Sequence, residues 1–252
     1  MYPKYEFPRR LFVRVAVDML LGRRRDFRLD ASACIRSLQP PLRVLGAEHI
    51  PARGPCLLVM NHYARPGFAV WWLSMAVSSL LPAPHAWMIA ARWTAPDQWY
   101  EPLKELYSGF VSRRLAHTYG FLRMPPMPPR PQETLERAAA VRAALRYVEH
   151  TPEAVLCLAP EGRDMPEGRL GMPPEGVGRF ISWLASRGLP LLPAGGWEQA
   201  GALTVRFGPP YRLEERLLPE SGRAEQRDHN AARIVMQSIA CLLPESLRGE
   251  FA

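Results

Sequence analysis

The chain lacks the short motifs that identify several large enzyme classes. Its 252 residues contain no G-x-x-x-x-G-K-[ST], no G-x-S-x-G and no H-E-x-x-H motif. These absences exclude P-loop nucleotide hydrolases, the usual serine hydrolases and the zincin metalloproteases. The four cysteines include no C-x-x-C pair, which excludes a cysteine zinc cluster and a disulfide scaffold and favours buried, reduced thiols.

Lysine is nearly absent, because 30 of the 32 basic residues are arginine. The net charge is +8, and it is unevenly distributed. The first 28 residues contain eight basic and three acidic side chains, a net +5, which leaves +3 for the other 224 residues. A nucleic-acid-binding protein usually presents a basic patch interleaved with aromatic side chains, and the nearly neutral remainder lacks one. We therefore predict no nucleic-acid partner.

A hydrophobic run long enough to cross a bilayer is also missing near the N-terminus. Residues 8–22 follow the helical period, with a broad apolar face and a narrow polar stripe of Arg10, Arg14 and Asp18. Such a segment fits a basic amphipathic helix in the membrane interface, and equally a helix packed on the domain with its arginines in water. We assign residues 1–28 to a membrane-associating helix and residues 29–252 to the main domain.

A second apolar segment contains no charged residue. No Asp, Glu, Lys or Arg occurs between Arg65 and Arg92, and Pro82 and Pro84 divide this stretch. Its first part, residues 66–81, predicts a helix of about 24 Å, which is shorter than the roughly 30 Å hydrocarbon core of a bilayer. We expect a buried helix or a surface that dips into a membrane.

The remaining pattern alternates between strands and helices. Apolar runs predict strands at residues 42–45, 56–60, 85–91, 154–158, 189–194 and 203–207. Helical periodicity predicts helices at residues 97–118, 132–150, 173–186 and 229–243. This alternation predicts a single α/β domain in which helices flank a mixed β-sheet.

His62 is the first candidate for chemistry. It follows the fully apolar run 56–60, and open α/β folds place their active sites at the carboxyl ends of strands. A neutral imidazole at such a position can take a proton from a hydroxyl group, since its pKa lies near the working pH. A single histidine after a strand is more often structural, so this position alone leaves both roles open.

The sequence around His62 resembles the phospholipid/glycerol acyltransferase family, the group of 1-acylglycerol-3-phosphate acyltransferases. In that family a strand ends in Asn-His, and the run VLGAEHIPARGPCLLVMNH at residues 44–62 is similar. The run APEGRDMPEGRL resembles the family's Pro-Glu-Gly-Thr-Arg block. GLPLLPAGGWE and VRFGPPYRL resemble its two later strands, and the four blocks occur in the family's order over residues 42–213.

Two departures from the family pattern concern charged residues. In the family, the histidine is followed by four residues and then an Asp. In this chain the position of that Asp is Gly67. In the family this carboxylate is thought to orient the imidazole, and loss of such a group in a Ser-His-Asp triad costs about 10⁴ in rate. The family's Thr-Arg falls on Arg163-Asp164, so an Asp stands where the phosphate-binding Arg is expected.

Three interpretations of these departures remain open. Asp164 supplies the missing carboxylate from the neighbouring loop, or His62 works with a backbone carbonyl or water at a lower rate. The third interpretation is a lipid-binding relative without transfer activity. An Asp beside Gly and Pro is more often a solvated turn residue, which is the ordinary alternative for Asp164.

The resemblance implies acyl transfer from an acyl thioester, on coenzyme A or an acyl carrier protein, to a hydroxyl of a glycerolipid-like acceptor in phospholipid metabolism. It implies His62 as general base, and under the first of the three interpretations Asp164 is its catalytic partner. The acceptor, a lysolipid or a glycerophosphate-like molecule, would be bound by Asn61, Glu161, Gly162 and Arg163, and by Arg123 in the run Gly120-Phe121-Leu122-Arg123. Neither a metal nor a bound cofactor is expected. The expected location is an anionic membrane surface on the cytoplasmic face, as a peripheral protein.

Overall fold

The fold is built on one sheet of seven strands. The computed structural model describes residues 2–82, 84–94, 98–126, 129–153, 155–217 and 223–252. The strands are β1 (Arg43–Leu45), β2 (Cys56–Met60), β3 (His85–Ala90), β4 (Leu122–Met124), β5 (Val155–Leu158), β6 (Leu191–Gln199) and β7 (Ala202–Phe207). The α-helices are α1 (Arg9–Leu20), α2 (Phe27–Ile35), α3 (Trp71–Leu80), α4 (Glu101–Tyr119), α5 (Thr134–His150), α6 (Val177–Ala185) and α7 (Ala224–Ala240).

The strand order is β1-β7-β6-β2-β5-β3-β4. Strands β6, β2, β5, β3 and β4 are parallel neighbours, whereas β6 and β7 are antiparallel, and β1 is parallel to β7. The sheet is therefore mixed, as predicted. β2 lies at its centre and all five of its residues are buried, which explains its uninterrupted apolar sequence.

Helical segments cover both faces of the sheet. Gly195 of β6 faces Leu243, just after α7, while Gly196 faces Leu73 of α3. Because successive residues of a strand point to opposite sides, these two contacts lie on opposite faces of the sheet. The prediction of a single α/β domain with a mixed sheet and flanking helices is confirmed.

Several predicted boundaries differ from the structure. The helix predicted over residues 66–81 begins only at Trp71, because Arg65 and Phe68 form an isolated β-bridge around a turn in which Gly67 has φ +78°. The predicted start of α4 at residue 97 lies outside the described residues. Sequence patterns did not predict β4, which has three residues, or α2, although Asp26 caps α2 by accepting hydrogen bonds from two backbone amides.

Helix α1 is joined to the rest of the fold by ion pairs. Arg25 pairs with Asp18 of α1 and with Asp30 of α2, and residue 28, the proposed limit of the membrane-associating segment, lies within α2. Among the described residues, the structure contains no helix with both the length and the apolar content needed to cross a bilayer.

Candidate active site

The candidate site lies where two central strands end. β2 ends at Met60 and is followed by Asn61 and His62, while its neighbour β5 ends at Leu158. Val59 is in register with Leu158, so both chains leave the sheet side by side at its carboxyl edge. This edge is the usual position of active sites in open α/β sheets.

His62 and Asp164 meet at this edge. Nδ1 of His62 is 3.2 Å from Oδ1 of Asp164, and their side chains are 18% and 76% exposed. This contact does not have the geometry of a hydrogen bond, and Nδ1 has no hydrogen-bond partner among the described residues. The nearby imidazole nevertheless holds the pKa of Asp164 below its ordinary value, and Lys104 adds to this effect. The carboxylate is therefore charged at neutral pH and close to the ring.

Glu161 binds the backbone of His62 from the interior of the protein. Its carboxylate accepts hydrogen bonds from the backbone amides of His62, at 2.6 Å, and Gly171, at 3.2 Å. The residue is 1% exposed, and burial is the largest cause that raises its pKa from 4.5 to about 7. Sequence reasoning gave Glu161 a place in the acceptor site, but its side chain contacts the main chain inside the protein.

Asn61 is also turned inward. Its side-chain amide donates to the carbonyl of Gly196 at 2.9 Å and accepts from the amide of Gly196 at 2.8 Å. This two-point contact fastens the end of β2 to β6 and uses the polar atoms of the side chain. The predicted acceptor contact of Asn61 is therefore replaced by a role in positioning His62, its neighbour in the chain.

Gly162 and Arg163 lie in the exposed loop after β5. Gly162 has φ +64°, and its amide donates to Ala159 at 3.1 Å. The Arg163 side chain is exposed, next to Asp164, and it has no ion pair with any described residue. Further along this loop, Gly168 has φ +67° and packs so closely against Tyr63 that a Cβ there would lie 2.6 Å from the ring, so the loop requires glycine at this point.

The structure does not bring Arg123 into this cluster. It lies in β4, three strands from β2, which is about 14 Å at the usual strand spacing. Its guanidinium donates to the carbonyl of Ala91 at 3.1 Å. Burial is the largest cause that lowers the pKa of Arg123, and Arg113 and Arg92 act in the same direction. The predicted phosphate contact of Arg123 stays a prediction.

Sequence reasoning missed a buried ion pair behind the His62 loop. The carboxylate of Glu198, in β6, pairs with the guanidinium of Arg65, with one contact of 2.6 Å and a second, shorter one. Tyr5 and Tyr63 donate their hydroxyls to the same carboxylate at 2.8 and 3.3 Å. The signal that was available is Arg65 itself, the last charged residue before a long uncharged stretch.

The N-terminal segment before α1 completes this support. Tyr5 packs against Phe68 and Trp72 with ring centroids 5.1 Å apart in each case, and the Arg65 guanidinium lies 3.7 Å from the Tyr2 ring centroid. These contacts fix the turn at residues 65–68, which leaves Gly67 exposed in a left-handed conformation. Position 67 therefore does not carry a group directed at His62.

Comparison with known proteins identifies the family of this chain. The family model described as Acyltransferase matches residues 41–195, more than half of the chain. The chain belongs to the Acyltransferase family. The matched region includes His62, Asp164 and every other predicted site residue.

The solved structures include a similar fold. The 1-acyl-sn-glycerophosphate (LPA) acyltransferase PlsC from Thermotoga maritima superposes with a TM-score of 0.49 and 16% sequence identity, over 84% of this chain and 75% of that chain. A comparison with curated proteins gives no match. Within the described part of the acyltransferase, no three His, Cys, Asp or Glu side chains are grouped as a metal site would require.

Proposed function

We propose that this acyltransferase moves a fatty acyl group from an acyl thioester, on coenzyme A or an acyl carrier protein, to a hydroxyl of a glycerolipid-like acceptor. The observation that carries the proposal is the position of the Asp164 carboxylate beside Nδ1 of His62. A carboxylate at one ring nitrogen favours a proton on that nitrogen and leaves Nε2 free to act as base. The family match supports the reaction class.

The reaction follows from this arrangement. Nε2 of His62 takes the proton of the acceptor hydroxyl while the oxygen attacks the thioester carbonyl carbon. The tetrahedral intermediate then collapses, its carbon–sulfur bond breaks, and the leaving thiolate receives the proton from the imidazolium. Asp164 stabilises the imidazolium between the two proton transfers. One C–O bond forms and one C–S bond breaks, and the proton moves from the hydroxyl to the leaving thiolate, so no further reactant is needed.

The acceptor is proposed to be a lysolipid or a glycerophosphate-like molecule. Arg163 is exposed beside Asp164 and has no carboxylate partner among the described residues, so its guanidinium is available for a phosphate. Arg123 lies further along the same edge of the sheet. It suits a more distant part of the acceptor better than the reacting hydroxyl.

We also propose that the protein binds the cytoplasmic face of an anionic membrane through α1. The helix contains Arg9, Arg10 and Arg14 and buries none of its residues. Each basic residue near an anionic surface contributes about 1 kcal/mol, and salt screens this contribution. The triple variant R9Q/R10Q/R14Q should bind vesicles rich in phosphatidylglycerol more weakly, and unchanged co-sedimentation would refute a role for these charges.

A transfer assay tests the reaction. The purified protein is incubated with radiolabelled acyl-CoA, or acyl carrier protein loaded with the same chain, and a panel of lysolipids and glycerol phosphates. His62→Ala should reduce the rate at least about 10²-fold, the lower range for loss of a general base. His150→Ala, which changes an exposed histidine at the end of α5, is the matched control. A folded His62→Ala protein with full activity would refute the assignment.

The alternative function is lipid binding without acyl transfer. The observation that favours it is the poor alignment of the His62 ring N–H with Asp164. The same experiment decides between the two functions, because a lipid-binding protein retains labelled lysolipid but forms no acylated product with any donor.

A further inference from the structure

The surface of the protein concentrates its exposed apolar side chains in two places. Eleven of the nineteen large apolar side chains that are exposed among the described residues belong to α1 and its end or to residues 99–110. From α1 they are Phe12, Val13, Val17, Leu20 and Leu21, and from the second segment they are Trp99, Tyr100, Leu103, Leu106, Tyr107 and Phe110. Exposed apolar patches of this kind mark interaction sites.

Helix α1 has two apolar faces. Leu11, Val15 and Met19 are partly covered, which accounts for the packing of the helix on the protein. Val13, Val17 and Leu20 repeat at intervals of four and three residues on another face and remain exposed. A helix that only packs on a domain needs one apolar face, so the second face is available to an apolar partner.

Helix α4 has the same character in its first half. Leu103, Leu106, Tyr107 and Phe110 follow the helical repeat and are exposed, while Ser108 and Ser112 are on the buried side. The helix thus turns small polar residues inward and large apolar residues outward, the reverse of an ordinary surface helix. Trp99, 86% exposed, precedes it.

The two helices are held together at their ends. Nε2 of His117 in α4 donates to the carbonyl of Gly22, just after α1, at 2.9 Å. The amide of Arg25 donates to the carbonyl of Thr118 at 2.8 Å. The two helices are therefore neighbours that are joined at their C-terminal ends.

The charged residues of this surface also differ in whether they are paired within the protein. Its acidic residues are neutralised within the protein, since Asp18 pairs with Arg25, and Glu101 and Glu105 pair with Arg130 at 3.1 and 2.8 Å. The arginines Arg9, Arg10 and Arg14 have no ion pair with any described residue. The surface thus combines apolar and aromatic side chains with unneutralised positive charge, which complements an anionic lipid interface.

The first half of α4 starts at the edge of the sheet that holds the candidate active site. The helix follows β3 and leads to β4, which is parallel to β3, so it must begin at the carboxyl edge of the sheet, where His62 lies. Lys104, in its first turn, is one of the charges that lower the pKa of Asp164.

We propose that residues 99–110 and α1 together form one membrane-contact surface that lies on an anionic bilayer and turns the opening of the His62 site towards the lipid. The proposal rests on the membrane binding proposed above and adds a second contact element and an orientation. Trp99 and Tyr107 have the amphipathic rings that favour the headgroup region, while Leu106 and Phe110 reach the acyl boundary. An acceptor with an acyl chain then enters the site without crossing water.

Vesicle binding of a paired variant tests the contact of α4. L106Q/F110Q should lower the partition coefficient on phosphatidylglycerol/phosphatidylcholine vesicles at least about tenfold, because two apolar side chains leave the interface. Leu135→Gln is the matched control, since Leu135 is 83% exposed on α5, outside the proposed surface, and its binding should stay within about twofold of wild type. Unchanged thermal unfolding would show that both proteins are folded. Wild-type binding by L106Q/F110Q would overturn the proposal.

Tryptophan fluorescence tests the orientation independently. Lipids brominated near the headgroup should quench the wild-type protein, and W99F should lose a large part of this quenching. The control W183F changes an exposed tryptophan on α6 and should retain the quenching. Quenching that is lost in W183F but not in W99F would place the other side of the protein on the membrane.

Two outcomes separate this inference from the proposals above. If R9Q/R10Q/R14Q binds weakly while L106Q/F110Q binds normally, α1 alone contacts the bilayer and the role of α4 is refuted. If light scattering shows a wild-type dimer that L106Q/F110Q converts to a monomer, a second copy of the chain covers this surface and the membrane orientation is refuted. Neither result bears on transfer by His62, which the radiolabel assay measures.

Discussion

The carboxylate of Asp164 lies 3.2 Å from Nδ1 of His62, although the family pattern places the corresponding carboxylate in the loop directly after the histidine. The residue in that loop is Gly67, and it faces solvent. The charge thus approaches the ring from the loop after β5. An exposed carboxylate is screened by water, so its effect on catalysis should be smaller than that of a buried one.

Loss of the Asp164 charge should reduce the transfer rate. For Asp164→Asn we expect a decrease in kcat of about 10²-fold, less than the roughly 10⁴-fold effect of a buried triad carboxylate, because Asp164 is largely exposed and its contact is not aligned. Steady-state kinetics with the best acceptor measures it. The control is Glu167→Gln, an exposed acid in the same loop that pairs with Arg169. Equal rates for Asp164→Asn and wild type would remove Asp164 from the mechanism.

A carboxylate at the family position should not restore activity. Gly67 has φ +78° and is exposed, so Gly67→Asp should destabilise the fold by about 1–2 kcal/mol and leave the new side chain in solvent. Added to Asp164→Asn, it should give no gain in kcat. Denaturant unfolding and the transfer assay test both parts, and recovered activity would show that the loop rearranges.

Ionisation of Glu161 should make stability depend on pH. Burial raises its pKa in the folded protein from 4.5 to about 7, so its stabilising contribution is complete below pH 4.5 and decreases as the pH rises to 7. The decrease is about 3 kcal/mol.

The difference in unfolding free energy between wild type and Glu161→Gln isolates this effect, because other titrating groups cancel. That difference should shift by about 3 kcal/mol in favour of the variant between pH 4.5 and 7. Glu167→Gln, which changes an exposed acid, should show no such shift. A pH-independent difference for Glu161→Gln would mean that Glu161 titrates normally.

Removal of one member of the buried Arg65–Glu198 pair should be costly. Glu198→Gln leaves the Arg65 guanidinium with a neutral partner in a buried position, and we expect a loss of about 3–5 kcal/mol. The double variant Arg65→Met/Glu198→Leu should recover part of this loss, since two apolar side chains replace the pair. The cycle consists of unfolding experiments on wild type, Arg65→Met, Glu198→Leu and the double variant, and additive effects of the two single changes would show that the residues are not coupled.

The sequence by itself determined most of the strands and helices and the position of His62. The central strand Cys56–Met60 has the predicted bounds, because a strand buried on both faces must be apolar throughout. His62 lies at the carboxyl edge of the sheet because it follows that strand directly. The α/β class and the approximate positions of α4, α5, α6 and α7 also followed from the local pattern.

Tertiary structure alone decided which side chains meet. Sequence reasoning assigned Asn61 and Glu161 the same kind of role as Arg163, yet Gly196 and the amides of His62 and Gly171 bind the first two inside the protein. Likewise Glu198, far along the chain, lies beneath the His62 loop because β6 is the neighbour of β2. Strand order and loop conformation depend on the packing of the whole chain, and local propensity and periodicity carry no information about either.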